Sequence, residues 1–138
     1  MSDRSKHGVI LFAHGARDPQ WAEPFHRLSR MLEASAPGLA TELAFLEHAS
    51  PDLMTAIGRL ADRGIERITL VPLFMGRGGH LRRDLPAIID SAVATHPGVI
   101  IRTTEAIGEV DALLFAIADW VLQENDRTEQ TDLGNPIA

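Results

Sequence analysis

Two histidines and a glutamate follow the apolar segments of this 138-residue chain at positions where polar side chains are not needed for folding. The segments are GVILFA at 8 to 13, ELAFL at 42 to 46 and ITLVPLF at 68 to 74. His14, Glu47 and His80 come after them. Imidazole and carboxylate together suit borderline divalent metals such as cobalt, nickel, iron and zinc. We therefore predict a partial metal coordination sphere with open positions.

The same side chains could also move protons. A histidine with an unperturbed pKa of about 6.5 accepts a proton near neutral pH, and an N–H group must lose its proton before its nitrogen can bind a metal. Gly15 follows His14, and Gly78 and Gly79 precede His80. Glycines beside a polar side chain allow a large ligand to approach closely. His48 could contact the metal or face solvent, while His7, His26 and His96 are interpreted as structural.

Residues 76 to 83, GRGGHLRR, form a basic segment in a chain of net charge -6. Arg77, Arg82 and Arg83 have no acid among them. Cations at the start of a helix oppose its dipole, which favours anions at that end. The segment therefore predicts a binding site for a small polyanion.

Composition excludes several classes of protein. The net negative charge argues against nucleic acid as a partner, because such binding depends on a broad basic surface. The absence of cysteine excludes disulfides and thiolate metal sites. The first apolar run, Val9 to Ala13, is far shorter than the roughly 20 residues that span a membrane. We expect a cytoplasmic protein with no membrane partner.

Apolar segments alternate with stretches of helical periodicity, and a fourth strand is predicted at 99 to 103. This alternation predicts an α/β fold, a three-layer sandwich with a four-stranded parallel sheet of order 2-1-3-4. Ligands bind such sheets beyond the carboxyl ends of the strands, here between strands one and three. The residues predicted to face the core in the last helix are Val110, Leu113, Leu114, Ile117 and Val121.

Helix boundaries follow from caps and prolines. Ser50 before Pro51 predicts the start of the second helix, and Glu23 with Pro24 in the first turn predicts the start of the first. Gly64 and Gly98 fall where helices should end. The helical pattern is lost after 124, so we predict one domain at 1 to 124 and a polar, loose tail at 125 to 138.

Three strings carry a resemblance to a known family: LFAHGARDPQW at 11 to 21, FLEHASPDL at 45 to 53 and VPLFMGRGGHLRRDLP at 71 to 86. The chain, nearly to its tail, resembles the short class II chelatases of the CbiX and SirB type, whose chelatase-like fold has a flavodoxin-like strand order. The resemblance implies ATP-independent insertion of a divalent metal into sirohydrochlorin, in cobalamin or sirohaem-type porphyrin biosynthesis. Cobalt is the first expectation, with iron and nickel as alternatives.

The resemblance also implies residue roles. His14 and His80 would bind metal and accept pyrrole protons, and Glu47 would assist. The ring carries eight carboxylates, which gives Arg77, Arg82 and Arg83 a physical reason to hold its edge. The backbone of Gly76, Gly78, Gly79 and Leu81, with the turn at Ala49, would line the ring face. No cofactor beyond the substrate metal is implied, and a short chain of this kind is expected to pair as a homodimer.

Two other functions stay open from the sequence. A histidine phosphatase would also place a histidine after a strand, but such sequences resemble Arg-His-Gly, and Ala13 precedes His14 here. A non-catalytic metal- or tetrapyrrole-binding module would use the same residues without accelerating insertion.

Overall fold

Strands and helices alternate along the chain in this computed structural model, which describes residues 4–76 and 78–131, with the backbone alone at position 80. The strands are β1 (His7–Ala13), β2 (Ala40–Phe45), β3 (Arg67–Pro72) and β4 (Ile100–Thr103). The helices are α1 (Glu23–Ser35), α2 (Leu53–Asp62), α3 (Gly79–Thr95) and α4 (Asp111–Gln130). Short 3-10 turns occupy Arg4–Lys6, Pro19–Ala22 and Ile107–Glu109.

The four strands form one parallel sheet in the order β2-β1-β3-β4, which confirms the predicted fold class and strand order. Phe12 of β1 lies in register with Ala44 of β2 and with Pro72 of β3. In chain order, β2 is added on one side of β1, and β3 and β4 are added on the other side. The carboxyl ends of β1, β2 and β3 therefore meet at one edge, around the switch point where such folds bind ligands.

The core lies mainly on the face covered by α2 and α3. Ile10, Phe12, Ile68 and Leu70 of β1 and β3 are at most 2% exposed there. On the opposite face, α1 packs over a smaller cluster built from Leu11, Ala13, Leu43 and Phe45. Period-two alternation sends neighbouring residues of one strand to opposite faces, so each inner strand contributes to both clusters.

The start of α1 at Glu23, with Pro24 in its first turn, is as predicted. The predicted cap of α2 is wrong. Asp52, not Ser50, caps this helix, because its Oδ1 accepts the backbone N–H of Thr55 at 2.8 Å and the helix begins at Leu53. Hydrogen bonds from Thr55 hold the pKa of the Asp52 carboxyl below its usual value. The Ser50–Pro51 peptide bond is cis, and both residues lie in the loop that precedes the helix.

The last two helices differ from the prediction. His80 is the second residue of α3, so this helix begins before Arg82 and Arg83, where the sequence indicated its start, and Pro86 is inside it. None of the residues of α4, all of which the structure describes, is buried, so the predicted core-facing role of Leu113, Ile117 and Val121 is wrong for the single chain. The helix also continues to Gln130, past the predicted boundary at 124.

The remainder of the predicted tail, residues 132–138, lies outside the described residues. Within residues 4–76 and 78–131, no helix is both long enough and apolar enough to cross a membrane.

Candidate functional site

His14 lies directly beyond the carboxyl end of β1 and is exposed to solvent. Its imidazole packs against the ring of Phe74, with ring centroids 4.2 Å apart and planes at 66°. Phe74 is 2% exposed and makes an edge contact with Phe12 in the core. The histidine ring is thus positioned by a fixed aromatic neighbour while it remains reachable from solvent.

Backbone contacts tie the segment after β1 to the segment after β2. The N–H of Leu46 donates to the carbonyl of Ala13 at 2.9 Å, and that of Glu47 donates to the carbonyl of His14 at 3.0 Å. Gly15 has a φ of 93°, and a Cβ there would lie 1.7 Å from the carbonyl oxygen of Glu47. Only glycine fits this approach. The sequence at Gly15 therefore fixes the backbone from which the His14 side chain projects.

Glu47 reaches the same edge, but its carboxylate has a different partner. Its Oε2 lies 3.8 Å from Nε2 of His48, and both side chains are exposed. His48 has a φ of 62°, a left-handed conformation that directs the chain into the turn before α2. No three histidine, aspartate or glutamate side chains described by the structure come close enough together to hold a metal. The backbones of His14 and Glu47 meet at one edge of the sheet, while the imidazole of His80 lies outside the described atoms.

A pocket of about 160 Å³ opens beside His14. Its lining residues are His14, Leu46, Phe74, Gly76, Gly78, Leu81 and Asp84. Four of them were predicted from the sequence, but Leu46, Phe74 and Asp84 were not. Asp84 could have been found from spacing, because it follows His80 by four residues, which is one turn of a helix. The pocket therefore offers an apolar wall with one imidazole and one carboxyl group.

The start of α3 forms the other side of this pocket. Gly78 is its N-cap and supplies no side-chain hydrogen bond, and the positive end of the helix dipole lies there. Arg83 is exposed, and its Nε donates to the carbonyl of Gly79 at 3.2 Å. Arg82 is also exposed.

The structure does not bring every predicted binding residue to the pocket. Arg82 lines a separate groove between α3 and β4, together with Leu85, Ile89 and Thr103. Ala49 is half-buried and packs against the cluster under α1. Gly76 and Gly79 are exposed, and Arg77 lies outside the described residues.

Curated relatives match part of the chain. A sirohydrochlorin cobaltochelatase of Methanopyrus kandleri is 28% identical over 81 residues, and one of Saccharolobus solfataricus is 34% identical over 82 residues. Each match covers 59% of this chain. The matched segment spans 57% and 62% of the lengths of those two relatives.

Solved structures resemble the fold over a larger share of the chain. The crystal structure of a cobalamin (vitamin B12) biosynthesis CbiX protein from Marinobacter aquaeolei VT8 is 41% identical, has a TM-score of 0.76 and covers 88% of this chain and 98% of its own. The sirohydrochlorin chelatase SirB from Bacillus subtilis subspecies spizizenii, in complex with cobalt, is 24% identical with a TM-score of 0.67, covering 77% of this chain and 45% of its own. At that identity the likeness to SirB shows the fold alone.

The family model named CbiX matches residues 8–124, a segment that includes β1 from its second residue, β2 to β4, the pocket beside His14 and the first part of α4. The strand order, the histidine after β1 and the glycine-rich start of α3 all fall within it. This chain belongs to the CbiX family.

Proposed function

We propose that this protein inserts a divalent metal into sirohydrochlorin without a nucleotide. The observation that carries the proposal is the position of His14, exposed beyond the carboxyl end of β1 and in contact with Phe74 at the edge of a pocket. Relatives from Methanopyrus kandleri and Saccharolobus solfataricus are named sirohydrochlorin cobaltochelatases, which supports this substrate.

The reaction needs proton acceptors and no redox partner. Sirohydrochlorin loses its pyrrole N–H protons, a divalent metal forms bonds to the freed nitrogens, and the protons pass to solvent. We assign the acceptance of these protons to His14 and His80, because neutral imidazole can take a proton near pH 7 and release it. The exposure of His14 gives such protons a path to water.

Glu47 would assist by stabilising the metal as it approaches the ring. Its present neighbour is His48, whose Nε2 lies 3.8 Å from Oε2 of Glu47, and both side chains are exposed. That contact is weak enough to be exchanged for a metal ion. Asp84, which lines the pocket with His14, is a further carboxyl group within the same site.

We assign the binding of the ring's carboxylate edge to the basic segment, residues 76 to 83. Arg77, Arg82 and Arg83 would pair with ring carboxylates, and the helix dipole at the start of α3 adds attraction for negative charge. The exposed glycines from Gly76 to Gly79 have open space where a Cβ would lie, so a flat ligand can approach the backbone. Leu81 would contact the ring from the pocket wall, and Ala49 would contribute to the turn on the opposite side.

Cobalt is the proposed metal, with iron and nickel as alternatives. Two solved structures of SirB, which has the same fold, support cobalt and iron, because one contains cobalt and the other contains Fe³⁺. First-row divalent ions bind nitrogen and oxygen ligands in a fixed order of affinity, so the donor set by itself does not select among them. We also propose that two copies pair, because a pocket of about 160 Å³ can contact only part of a macrocycle.

The test mixes the protein with metal-free sirohydrochlorin and cobalt, iron or nickel ions, and follows the ring absorption against a protein-free control. We expect acceleration with at least one metal and loss of most of it in His80→Ala. His26→Ala, a change on exposed α1, is the matched control and should retain full activity. Binding of the ring without acceleration by any metal would contradict insertion and identify a binding module instead.

A further inference from the structure

His48 has an unusual backbone conformation for its residue type. Its φ of 62° is left-handed, and among the residues that the structure describes it is the one non-glycine residue with a positive φ. A Cβ is disfavoured in this conformation because it comes close to the following carbonyl oxygen, although histidine, asparagine and aspartate adopt it more often than most residues do. Backbone strain of this kind is concentrated at functional sites. The conformation of His48 therefore points to a role for its side chain.

The left-handed turn brings the side chains of two consecutive residues together. In an extended strand, neighbouring side chains point to opposite faces of the sheet. Here Nε2 of His48 lies 3.8 Å from Oε2 of Glu47, and the two side chains are 42% and 60% exposed. Within the described part of the chain, neither side chain has a further polar partner. Both can therefore bind a third group that arrives from solvent.

The backbone that carries this pair is held in place. The N–H of Glu47 donates to the carbonyl of His14 at 3.0 Å, and the carbonyl oxygen of Glu47 lies against Gly15, where a Cβ would overlap it. The N–H of Phe45 donates to the carbonyl of Pro51 at 2.9 Å, which closes the loop that contains the pair. The two side chains therefore project from a fixed loop, which lowers the entropy that is lost when a ligand binds.

The separation of the two donor atoms suits a divalent metal ion. Imidazole nitrogen and carboxylate oxygen bind such ions at about 2.0–2.2 Å, so two donors on one ion lie about 3.0–3.5 Å apart. A small rotation of either exposed side chain closes the observed 3.8 Å to this range. Water would fill the other positions, because the structure describes no third histidine, aspartate or glutamate side chain close enough to join the pair. With two protein ligands the site would bind weakly and release its ion readily.

The pair lies at the rim of the pocket beside His14. Leu46, which directly precedes Glu47, lines that pocket together with His14, whereas Glu47 and His48 are outside its lining. Glu47 stands between the two histidines, because its backbone bonds to His14 and its carboxylate lies beside His48. Rotation of this one carboxylate would carry a bound ion from the rim towards the pocket.

The charges on the two sides of the pocket favour this route for a cation. Residues 46 to 52, LEHASPD, contain Glu47 and Asp52 and no lysine or arginine. The basic segment on the opposite side contains three arginines and no acid, and the positive end of the α3 dipole lies there. Like charges repel and unlike charges attract over several ångströms. A divalent ion is therefore drawn to the loop after β2, while an anionic ring is drawn to the basic segment.

We propose that Glu47 and His48 form an outer metal site, which binds the incoming divalent ion and passes it to the pocket beside His14. The transfer step rests on the proposed chelatase function, whereas the binding of the ion at the pair does not. Each step is an exchange of ligands. The ion loses water to Nε2 of His48 and Oε2 of Glu47, and it later exchanges His48 for a donor in the pocket, so no oxidant or reductant is needed.

The binding test uses Co²⁺ alone, without tetrapyrrole, in the variant His14→Ala/His80→Ala, which removes the two pocket histidines. Calorimetry should detect a weak Co²⁺ site, and the imidazole NMR signal that His48→Asn removes should be strongly shifted by the paramagnetic ion. In this background His48→Asn should lower the affinity for Co²⁺ at least tenfold, because asparagine tolerates the left-handed φ but is a poor ligand. His48→Asp, which supplies a carboxylate, should restore binding.

His26→Asn, a change of an exposed histidine on α1, is the matched control and should leave the affinity for Co²⁺ unaltered. Circular dichroism checks that each variant is folded. An unshifted His48 signal, or undiminished Co²⁺ affinity in His48→Asn, would overturn the outer site. An equal loss of affinity in His48→Asp would overturn it as well, because the loop and not the donor atom would then be responsible.

The transfer test measures insertion into sirohydrochlorin at varied Co²⁺ concentration, with the pocket histidines intact. His48→Asn should raise KM for Co²⁺ about tenfold, while kcat at saturating Co²⁺ stays within about twofold of wild type and KM for sirohydrochlorin is unchanged. A wild-type KM for Co²⁺ in His48→Asn would overturn the transfer step. Absence of insertion by the wild type would overturn the chelatase proposal and the transfer step together, and the outer site would still be decided by Co²⁺ binding.

Discussion

The two sides of the candidate site are held in different ways. On the β1 and β2 side, Gly15 packs on the backbone of Glu47 and His14 packs on Phe74. On the side of the basic segment, residues 76 to 83, the glycines have open space around them and Arg82 and Arg83 are exposed. A proton acceptor must be placed within hydrogen-bond reach of its target, whereas charges at a ligand's edge act over several ångströms. We therefore propose that the first side holds the proton acceptor His14 in a fixed position, while the arginines of the second side hold the ring edge beside His80.

The largest effect on stability is expected at Gly15. Gly15→Ala combines a left-handed φ with a clash against the backbone of Glu47, so we expect the free energy of unfolding to fall by about 3 kcal/mol. Gly38→Ala is the matched control, because Gly38 has a φ of 91° but nothing within 4 Å of its Cβ position. Its loss should be about 1 kcal/mol. Urea unfolding of both variants measures the difference, and equal losses would show that the contact with Glu47 fixes nothing.

A smaller, graded effect is expected in the basic segment. Arg82→Gln/Arg83→Gln should raise KM for sirohydrochlorin about tenfold with little change in kcat, because each exposed ion pair contributes up to about 1 kcal/mol. The rise should shrink as salt is added, since salt screens exposed charges. Arg27→Gln/Arg63→Gln changes the net charge equally on α1 and at the end of α2, and should leave KM unchanged. A fall in kcat in the first variant, with KM unaltered, would move these arginines into the chemical step.

The smallest effect concerns the cap that ends the loop after β2. Asp52→Ala should lower the free energy of unfolding by about 1 kcal/mol at neutral pH. Hydrogen bonds from Thr55 lower the pKa of Asp52 in the folded state. The part of the stabilisation that depends on the charge of Asp52 is therefore fully present above the unfolded-state pKa of about 3.9, and it is lost as pH falls through the folded-state value. Asp52→Asn keeps a cap without the charge, so its stability should vary less with pH in this range. Urea unfolding at ~pH 7 and ~pH 2 tests this, and a pH-independent difference between wild type and Asp52→Asn would refute it.

Much of this site follows from the sequence, because apolar runs locate the strands and the parallel topology gathers their carboxyl ends. His14 was predicted in this way, whereas Gly76 and Leu81 were expected from the family resemblance, and all three line one pocket. Asp84 was missed because the sequence indicated a helix start at Arg82 and Arg83, close to Pro86, whereas α3 begins at Gly79 and has Pro86 inside it. A proline inside a helix removes a backbone hydrogen bond, so local preference alone places a boundary near it.

The error at α4 has a different cause. Its helical periodicity and apolar residues were read correctly, but periodicity does not tell which surface a helix packs on. In the single chain Leu113 and Ile117 stay exposed, which helical periodicity alone could not predict. Ser50 and Asp52 are both good N-cap residues, and the choice between them depended on the loop geometry that the pattern does not contain.

The most direct test of the central claim compares metal insertion by the wild type and by His14→Ala, with ring binding measured separately by fluorescence quenching. Loss of a positioned proton acceptor should lower kcat by roughly 10²- to 10⁴-fold while the ring still binds. Retention of wild-type kcat in a folded His14→Ala variant would contradict the account.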